Sequence, residues 1–104
     1  MMEALRDLTY DVAKTYVGDV FQIRFEGGES IDLNLERVLL LMEKHVNPRM
    51  KRDAFSLQFR GPRNIRLTQS MYPLFHDKMG GPLPIFLVPI GSAEEGLLYE
   101  AVFN

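Results

Sequence analysis

Three segments in the second half of the chain decide the fold, namely Ala54-Phe55-Ser56-Leu57-Gln58-Phe59-Arg60-Gly61-Pro62, Ile85-Phe86-Leu87-Val88-Pro89-Ile90-Gly91 and Leu97-Leu98-Tyr99-Glu100-Ala101-Val102-Phe103-Asn104. From Phe55 to Arg60, apolar and polar side chains alternate, which is the pattern of a half-buried β-strand. The other two are short apolar runs bounded by Gly and Pro, as is typical of strands joined by turns. The last segment is apolar on both faces and predicts a central strand. The chain is therefore predicted to be mainly β.

Two further strands precede these segments and predict a hairpin. Their alternating apolar residues are Phe21, Ile23 and Phe25, then Ile31, Leu33 and Leu35. A two-residue turn at Gly27-Gly28 would place the apolar face of one strand opposite the polar face of the other. A three-residue loop at 26–28 instead pairs Ile23 with Ile31 and puts Gly28 in the left-handed position. We therefore predict the three-residue loop.

A short helix is predicted over Leu8–Gly18, before the first strand. Thr9 has the hydroxyl of a good N-cap, and Gly18 suits the left-handed position that ends a helix. Its apolar face comprises Ala13, Tyr16 and Val17. Because two helical turns are unstable alone in water, we expect this helix to plug one end of a barrel or to cover an open sheet edge.

Other parts of the chain allow more than one interpretation. Val38–Met42 fits a helix or the continuation of the preceding strand past a bulge, and we favour a strand buried on both faces. A fourth strand is expected to begin at Ile65 and to resume at 71–75. In the fifth strand, Pro89 cannot donate to a ladder and indicates an edge, a bulge or the strand end. Residues 91–96 are predicted to form a loop.

These elements predict a small antiparallel barrel or sandwich of about six strands with a short N-terminal helix. The 104 residues correspond to a single β domain over 1–104, and the net charge is −2. The absence of cysteine excludes disulfides, Cys-ligated zinc, Fe–S clusters and thiol nucleophiles. The sequence shows no secretory signal and no membrane-spanning run, so a cytoplasmic location is expected, with delivery by a phage-tail-like assembly left open.

Half of the positive charge lies between positions 49 and 66. The basic residues of this segment are Arg49, Lys51, Arg52, Arg60, Arg63 and Arg66. Only Asp53 opposes them, which gives the segment a net charge of +5, whereas the other 86 residues hold six basic and thirteen acidic residues, a net charge of −7. This pattern fits an anionic ligand, nucleic acid or an acidic protein surface, but we favour an ordinary polar strand whose arginines pair with the acidic remainder of the same molecule. Head-to-tail association through the divided charge is a third interpretation.

Nucleic acid is not an expected partner, because Phe55 and Phe59 share the core face and are not exposed stacking platforms. The pair His76-Asp77 is adjacent in sequence, and neighbouring strand residues point to opposite faces, so we expect a structural or solvated histidine. Carboxylates also occur together near the hairpin tip, at Glu26, Glu29 and Asp32, and are expected to be solvated. The sequence predicts no catalytic, cofactor-binding or metal-ligating set, and a hydrolase built on His76 and a carboxylate is the weaker hypothesis.

The block order of the chain resembles a known family. The blocks are Val17-Gly18-Asp19-Val20-Phe21, Phe55-Ser56-Leu57-Gln58-Phe59-Arg60-Gly61-Pro62, Gln69-Ser70-Met71-Tyr72-Pro73-Leu74-Phe75-His76, Phe86-Leu87-Val88-Pro89-Ile90-Gly91 and Tyr99-Glu100-Ala101-Val102-Phe103-Asn104. They resemble small bacterial proteins that carry only a domain-of-unknown-function name. The resemblance covers essentially the whole chain, implies a bacterial source and an association with phage-tail-collar-like proteins, and brings no catalytic residues. The chain departs from the family at Ser70-Met71, where the family has Gly-Thr.

Taken together, these features predict a non-enzymatic protein-interaction or assembly module without a cofactor. A protein partner or self-association is expected, and no membrane. The alternative is a small β domain that binds an anionic ligand through the arginine-rich turn at Arg60, Arg63 and Arg66.

Overall fold

The structure is a computed structural model that describes residues 3–104. Its helices and strands are α1 (Glu3–Arg6), α2 (Tyr10–Lys14), β1 (Val20–Arg24), β2 (Ser30–Met42), a 3-10 helix (Lys44–Val46), β3 (Ala54–Gly61), β4 (Ser70–His76), β5 (Gly80–Ala93) and β6 (Gly96–Phe103). The six strands of this part of the chain are antiparallel and close into a barrel in the order β1-β2-β3-β6-β5-β4. The mainly β fold is confirmed, and of the two architectures the chain adopts the barrel.

The antiparallel order defines two ends of the barrel. The upper end holds the β1–β2 turn, the segment 62–69 and the β5–β6 turn. The lower end holds α1, α2, the segment 43–53 and the β4–β5 turn. Leu8 and Ala13 are buried in the same core cluster as the inward-facing strand residues, so the N-terminal segment packs on the lower end.

The N-terminal helix is shorter than predicted. Thr9 is its N-cap, as expected, and the hydroxyl oxygen accepts the amide of Val12 at 3.2 Å. The α-helix ends at Lys14, and the amides of the next three residues, 15–17, donate to the carbonyls three residues back. The Thr15 hydroxyl also donates to the Val12 carbonyl at 2.6 Å. Of the predicted apolar face, Ala13 is buried and Tyr16 is half-buried, whereas Val17 lies beyond the helix and is exposed.

The β1–β2 hairpin has the predicted three-residue loop. Ile23 pairs with Ile31, and Phe21 pairs with Leu33. Gly28 has φ +91° and donates to the carbonyl of Phe25 at 3.0 Å. Phe25 itself is exposed rather than buried, because it lies at the tip where no strand covers it.

Val38–Met42 continues β2 as a strand, as favoured, with the ladder shifting between Leu35 and Arg37 and again between Leu40 and Met42. The expectation that this strand is buried on both faces was wrong. Leu40, Leu41 and Met42 are exposed, since β2 extends beyond its last pair with β1 at Asn34 and pairs there only with β3.

Two other boundaries differ from the sequence-based expectation. Residues 65–69 are irregular, and β4 begins at Ser70, because the amide of Leu67 is satisfied by the hydroxyl of Tyr99 (2.9 Å) instead of a ladder. The predicted loop at 91–96 is mostly strand, since β5 continues to Ala93 and only two residues form the turn. The ladder shifts between Pro89 and Gly91, so Pro89 lies at a bulge and marks neither a sheet edge nor the end of the strand.

Ser56 carries a buried hydroxyl with no hydrogen-bond partner in the described part of the chain. It lies on the outer side of β3, between Leu39 and Val102 in the ladder. An unpaired buried hydroxyl costs roughly 1–3 kcal/mol. We therefore expect Ser56→Ala to raise the free energy of unfolding by about 1 kcal/mol in urea denaturation, and a loss of stability would show that the hydroxyl is bonded in solution.

Candidate functional site

The predicted basic segment does not form one cluster. β3 runs the length of the barrel between its two halves, and its eight residues span about 25 Å. Arg60, Arg63 and Arg66 therefore belong to the upper end, and the other three, Arg49, Lys51 and Arg52, belong to the lower end. The two halves of the basic segment are close in sequence but lie at opposite ends of the barrel.

Arg52 is bound to the termini of the chain. Its Nε donates to the carbonyl of Asn104 at 3.0 Å. Its Nη1 donates to the carbonyls of Leu5 (2.9 Å), Arg6 (3.1 Å) and Leu8. The half-buried guanidinium thus holds the N-terminal segment and the end of β6 to the lower end, which is a structural role.

Two of the upper arginines are also engaged. Arg63 donates through Nη1 to the carbonyls of Ala93 (2.8 Å) and Glu94 (2.6 Å) and so holds the β5–β6 turn. Arg60 donates through Nε to the carboxylate of Glu36 at 3.0 Å. Binding of an external anion by this turn stays a prediction, with part of each guanidinium already used.

The other three basic residues, Arg49, Lys51 and Arg66, are exposed and form no ion pair within residues 3–104. The Arg66 side chain lines a groove of about 300 Å³ with Pro89, Ser92 and Leu98. Arg49 and Lys51 lie in the segment 43–53 at the lower end.

His76 lies at the seam where the barrel closes. β1 and β4 share only two ladder pairs, Gln22 with Phe75 and Ile23 with Leu74. Below them, Nε2 of the buried His76 meets the carboxylate of Asp19 at 2.8 Å. The imidazole also stacks on Phe21, with ring centroids 4.5 Å apart. The hydrogen bond between His76 and Asp19 therefore adds a side-chain contact between β4 and the residue before β1, where the backbone ladder has already ended.

The hydrogen bonds of His76 fix its chemistry. Nδ1 faces the amides of Lys78 and Met79 at 3.2 Å each, and amides only donate, so Nδ1 is the acceptor. Nε2 therefore carries the proton and donates it to Asp19. Both ring nitrogens are therefore engaged in hydrogen bonds within the chain. His76 is buried rather than solvated, and its acidic partner is Asp19 and not Asp77. His76 and Asp19 both line a groove of about 560 Å³, and the hydrolase built on His76 and a carboxylate stays the weaker hypothesis.

We expect Asp19→Ala to lower the free energy of unfolding by about 1–2 kcal/mol, because a hydrogen bond to a partly exposed carboxylate is lost across the seam. Asp19→Asn keeps an acceptor oxygen and should recover most of that loss. Asp77→Ala, which alters the exposed sequence neighbour of His76, is the matched control and should change stability by less than about 0.5 kcal/mol. Urea denaturation of the three variants measures this, and equal effects of Asp19→Ala and Asp77→Ala would contradict the assignment.

The outer face of β1 and β2 is polar. Arg24 donates to the Gln22 side-chain oxygen at 2.9 Å, and the Gln22 amide donates to Asp32 at 2.9 Å. This network lines a groove of about 560 Å³ over the seam. Asp32 belongs to this network, whereas Glu26 and Glu29 are exposed at the hairpin tip, so the three carboxylates do not converge on one site. Among the described residues, no group of three His, Asp or Glu side chains is placed to hold a metal ion.

The outer face of β4 and β5 is apolar, in contrast. We call it the apolar wall, and it consists of Met71, Pro73, Pro82, Pro84 and Phe86. Met71 pairs with Phe86 and Pro73 pairs with Pro84, so these side chains are neighbours on one surface. Met71 is 56% exposed and Phe86 is 45% exposed. A shallow cleft of about 360 Å³ runs along the wall and has no charged side chain in its lining.

Comparison with known proteins places the chain in a family. A family model described as a domain of unknown function (DUF6916) matches residues 8–103. The chain belongs to this family. No curated protein and no solved structure matches it. Membership confirms the family resemblance seen in the sequence blocks, whereas the association with phage-tail-collar-like proteins stays a prediction.

Within residues 3–104, no helix has the length and apolar character needed to cross a membrane.

Sequence reasoning missed the apolar wall and the Asp19–His76 bond. A signal for the wall was present, because Met71, Pro73 and Phe75 alternate with the inward-facing residues of β4. Assigning those side chains to the outside required the position of the core, which only the closed barrel supplies. Asp19 and His76 are 57 residues apart and carry no linear signal.

Proposed function

We propose that this chain is a protein-interaction module of a bacterial multiprotein assembly, without catalytic chemistry of its own, and that the apolar wall is its partner-binding surface. A phage-tail-like assembly is the setting suggested by the sequence resemblance. The cytoplasm is the compartment proposed, since the fold uses no disulfide that a reducing environment would break. The single observation that carries the proposal is the exposed, uncharged and contiguous apolar surface of β4 and β5.

The apolar side chains of the wall adjoin one another, and this arrangement favours binding of a partner protein. Single exposed apolar residues are ordinary on protein surfaces, whereas adjoining ones mark interaction sites. Here two ladder pairs place four apolar side chains side by side, Met71 with Phe86 and Pro73 with Pro84. A cleft without charge complements an uncharged apolar surface of another protein, since a charged group placed there would lose its hydration without gaining a partner.

The prolines of the wall restrict how a partner binds. In β4, residues 70–73 pair only with β5, and in β5, residues 80–87 pair only with β4, so each strand has a free edge there. Pro73 and Pro84 have no N–H to offer along these edges, and proline is a recognised means of preventing strand addition. We therefore expect the partner to dock on side chains rather than to add a strand.

Site-specific photo-cross-linking tests this proposal. A photoreactive phenylalanine analogue replaces Phe86 in cells of the source organism, and mass spectrometry identifies what it joins. Val12 on α2 is exposed to a similar degree (43%) and is the control position. We expect one partner protein to cross-link from position 86 and not from position 12, and to be lost when the same chain carries Met71→Asp. Cross-links only to the chain itself, or the same products from both positions, would contradict the proposal.

Anion binding is the second candidate function, and Arg66 is the observation that favours it. Unlike Arg60 and Arg63, it has no partner among the described residues, and its side chain lines a groove of its own. Phosphate or a nucleotide at a hundred times its Kd would stabilise the fold by about 2.7 kcal/mol, which a thermal-shift measurement detects. We expect Arg66→Ala to abolish the shift, and an unchanged melting temperature of the parent chain with these anions would remove this candidate.

A further inference from the structure

A basic apolar tip at the lower end of the barrel complements an apolar cleft with an acidic rim at the upper end. We propose that copies of this chain associate head to tail, with the lower end of one copy seated in the upper end of the next. This contact uses surfaces other than the apolar wall, so it goes beyond the partner binding proposed above and does not depend on it.

The lower end carries an apolar tip flanked by cations. Its exposed apolar residues are Leu40, Leu41, Met42 and Val46, of which Leu41 is 49% and Val46 61% exposed. The charged residues of the flanking segment 43–53 give four positive and two negative charges, and they are Glu43, Lys44, Arg49, Lys51, Arg52 and Asp53. Asp53 accepts the amide of Lys44 at 2.6 Å, which anchors the segment to the start of β3. This bond fixes the position of Lys44 next to the apolar residues of the tip.

The upper end carries an apolar cleft with an acidic rim. Phe25, Ile31, Ile65 and Leu67 line it, and its volume is about 540 Å³. Ile31 and Leu67 are buried at its floor, while Phe25 and Ile65 are exposed at its sides. Glu29 lies on the rim, Glu26 is close by in the same turn, and neither forms an ion pair within the described residues. The neighbouring Arg66 side chain lines a separate groove.

β2 joins these two surfaces and fixes their relation. It begins beside the cleft at Ser30 and reaches the tip at Met42, and its 13 residues span about 40 Å. The longest extent of the molecule is 43 Å, so the surfaces lie at opposite ends and cannot meet within one chain. A contact between them is heterologous, and repeated it gives a ring or a filament.

The acidic rim of the cleft indicates which kind of group occupies it. The cleft requires an apolar group accompanied by cations, and the tip of the same chain has both. Pairing a positive surface with a negative one steers the encounter and fixes the register of the contact. An anionic membrane would also attract a basic apolar tip, but it would leave the acidic cleft unoccupied, so we favour a second copy.

Two complementary variants test the proposal. Leu41→Asp disables the tip and leaves the cleft, whereas Ile65→Asp disables the cleft and leaves the tip. Sedimentation velocity from micromolar to millimolar concentration should show that the parent chain forms species larger than a dimer and that each variant alone is monomeric. A mixture of the two variants should form a dimer and nothing larger. Met71→Asp, on the apolar wall, should associate like the parent chain. This variant loses the proposed partner binding but keeps self-association, so the two proposals can fail independently.

Charge reversal gives a second readout. Glu29→Lys or Lys51→Glu alone should weaken association about tenfold, and the two together in one chain should restore it, since each contact then joins a reversed pair. Circular dichroism confirms that each variant is folded. Because the chain has no cysteine, a chain with Leu41→Cys and one with Ile65→Cys should also form a disulfide-linked pair on oxidation.

Three results on association would overturn the proposal. They are a parent chain that stays monomeric at millimolar concentration, a variant mixture that stays monomeric while the parent associates, and cysteine variants that cross-link only with themselves. Binding of a monomeric chain to phosphatidylserine vesicles that Leu41→Asp abolishes would also overturn it, in favour of a membrane surface.

Discussion

Gly96→Ala should lower the free energy of unfolding by about 3 kcal/mol or more and is expected to leave little folded protein at physiological temperature. Gly96 begins β6, and its neighbour Leu97 pairs with Gly61 at the end of β3. A Cβ at position 96 would overlap the carbonyl oxygen of Gly61 and lie 2.8 Å from Cγ of Arg60. Because backbone cannot yield as a side chain can, β3 and β6 would have to separate there.

Gly27→Ala is the matched control for this change. Gly27 lies in the β1–β2 loop, and a Cβ added there would meet no atom within 4 Å. Its stability should change by less than about 0.5 kcal/mol. Urea denaturation of both variants makes the comparison, and a Gly96→Ala protein as stable as Gly27→Ala would show that β3 and β6 do not approach as described.

Arg52→Ala should lower the free energy of unfolding by about 2–4 kcal/mol. Hydrogen bonds that involve a charged group contribute roughly 1.5–3 kcal/mol each and are not additive when one group makes them all. Here one guanidinium serves four carbonyls from both termini of the chain. Its charge also lies over the rings of Phe55 and Phe103, at 5.6 and 5.7 Å from their centroids.

Arg52→Lys separates geometry from charge. It keeps the positive charge, but an ammonium group cannot reach carbonyls on both sides as the planar fork does, so we expect little recovery. Lys51→Ala, at the exposed neighbouring position, is the control and should be nearly neutral. Urea denaturation together with limited proteolysis of the N-terminal segment provides the measurement. If Arg52→Ala and Lys51→Ala behaved alike, Arg52 would be a surface charge and would again be a candidate for partner binding.

The sequence predicted best where the pleat constrains the chain. Alternation in β1 and β2 placed Ile23 opposite Ile31, because a shift by one residue would have turned every apolar side chain outward. The same reasoning could not place Leu67, since the group that satisfies its amide is the hydroxyl of Tyr99, 32 residues away. A contact of that kind has no local signature.

The candidate site shows the same limit more clearly. The count of charges along the sequence identified the basic segment. It could not show that β3 separates Arg60 and Arg63 from Arg52 by the length of the barrel. Each of these three then binds groups of its own chain, through carbonyls at Arg52 and Arg63 and a carboxylate at Arg60. The basic residues of this segment are therefore divided between the two ends of the barrel and do not form one patch.

Every surface described above depends on closure of the barrel. The pairing of β1 with β4 has only two ladder pairs and provides the most direct test of closure. A nuclear Overhauser experiment on the labelled chain reports whether backbone protons of β1 and β4 lie close together. We predict cross-strand signals between Gln22 and Phe75 and between Ile23 and Leu74, alongside those of the β1–β2 and β4–β5 pairs. Strong signals for the latter pairs with none between β1 and β4 would contradict a closed barrel.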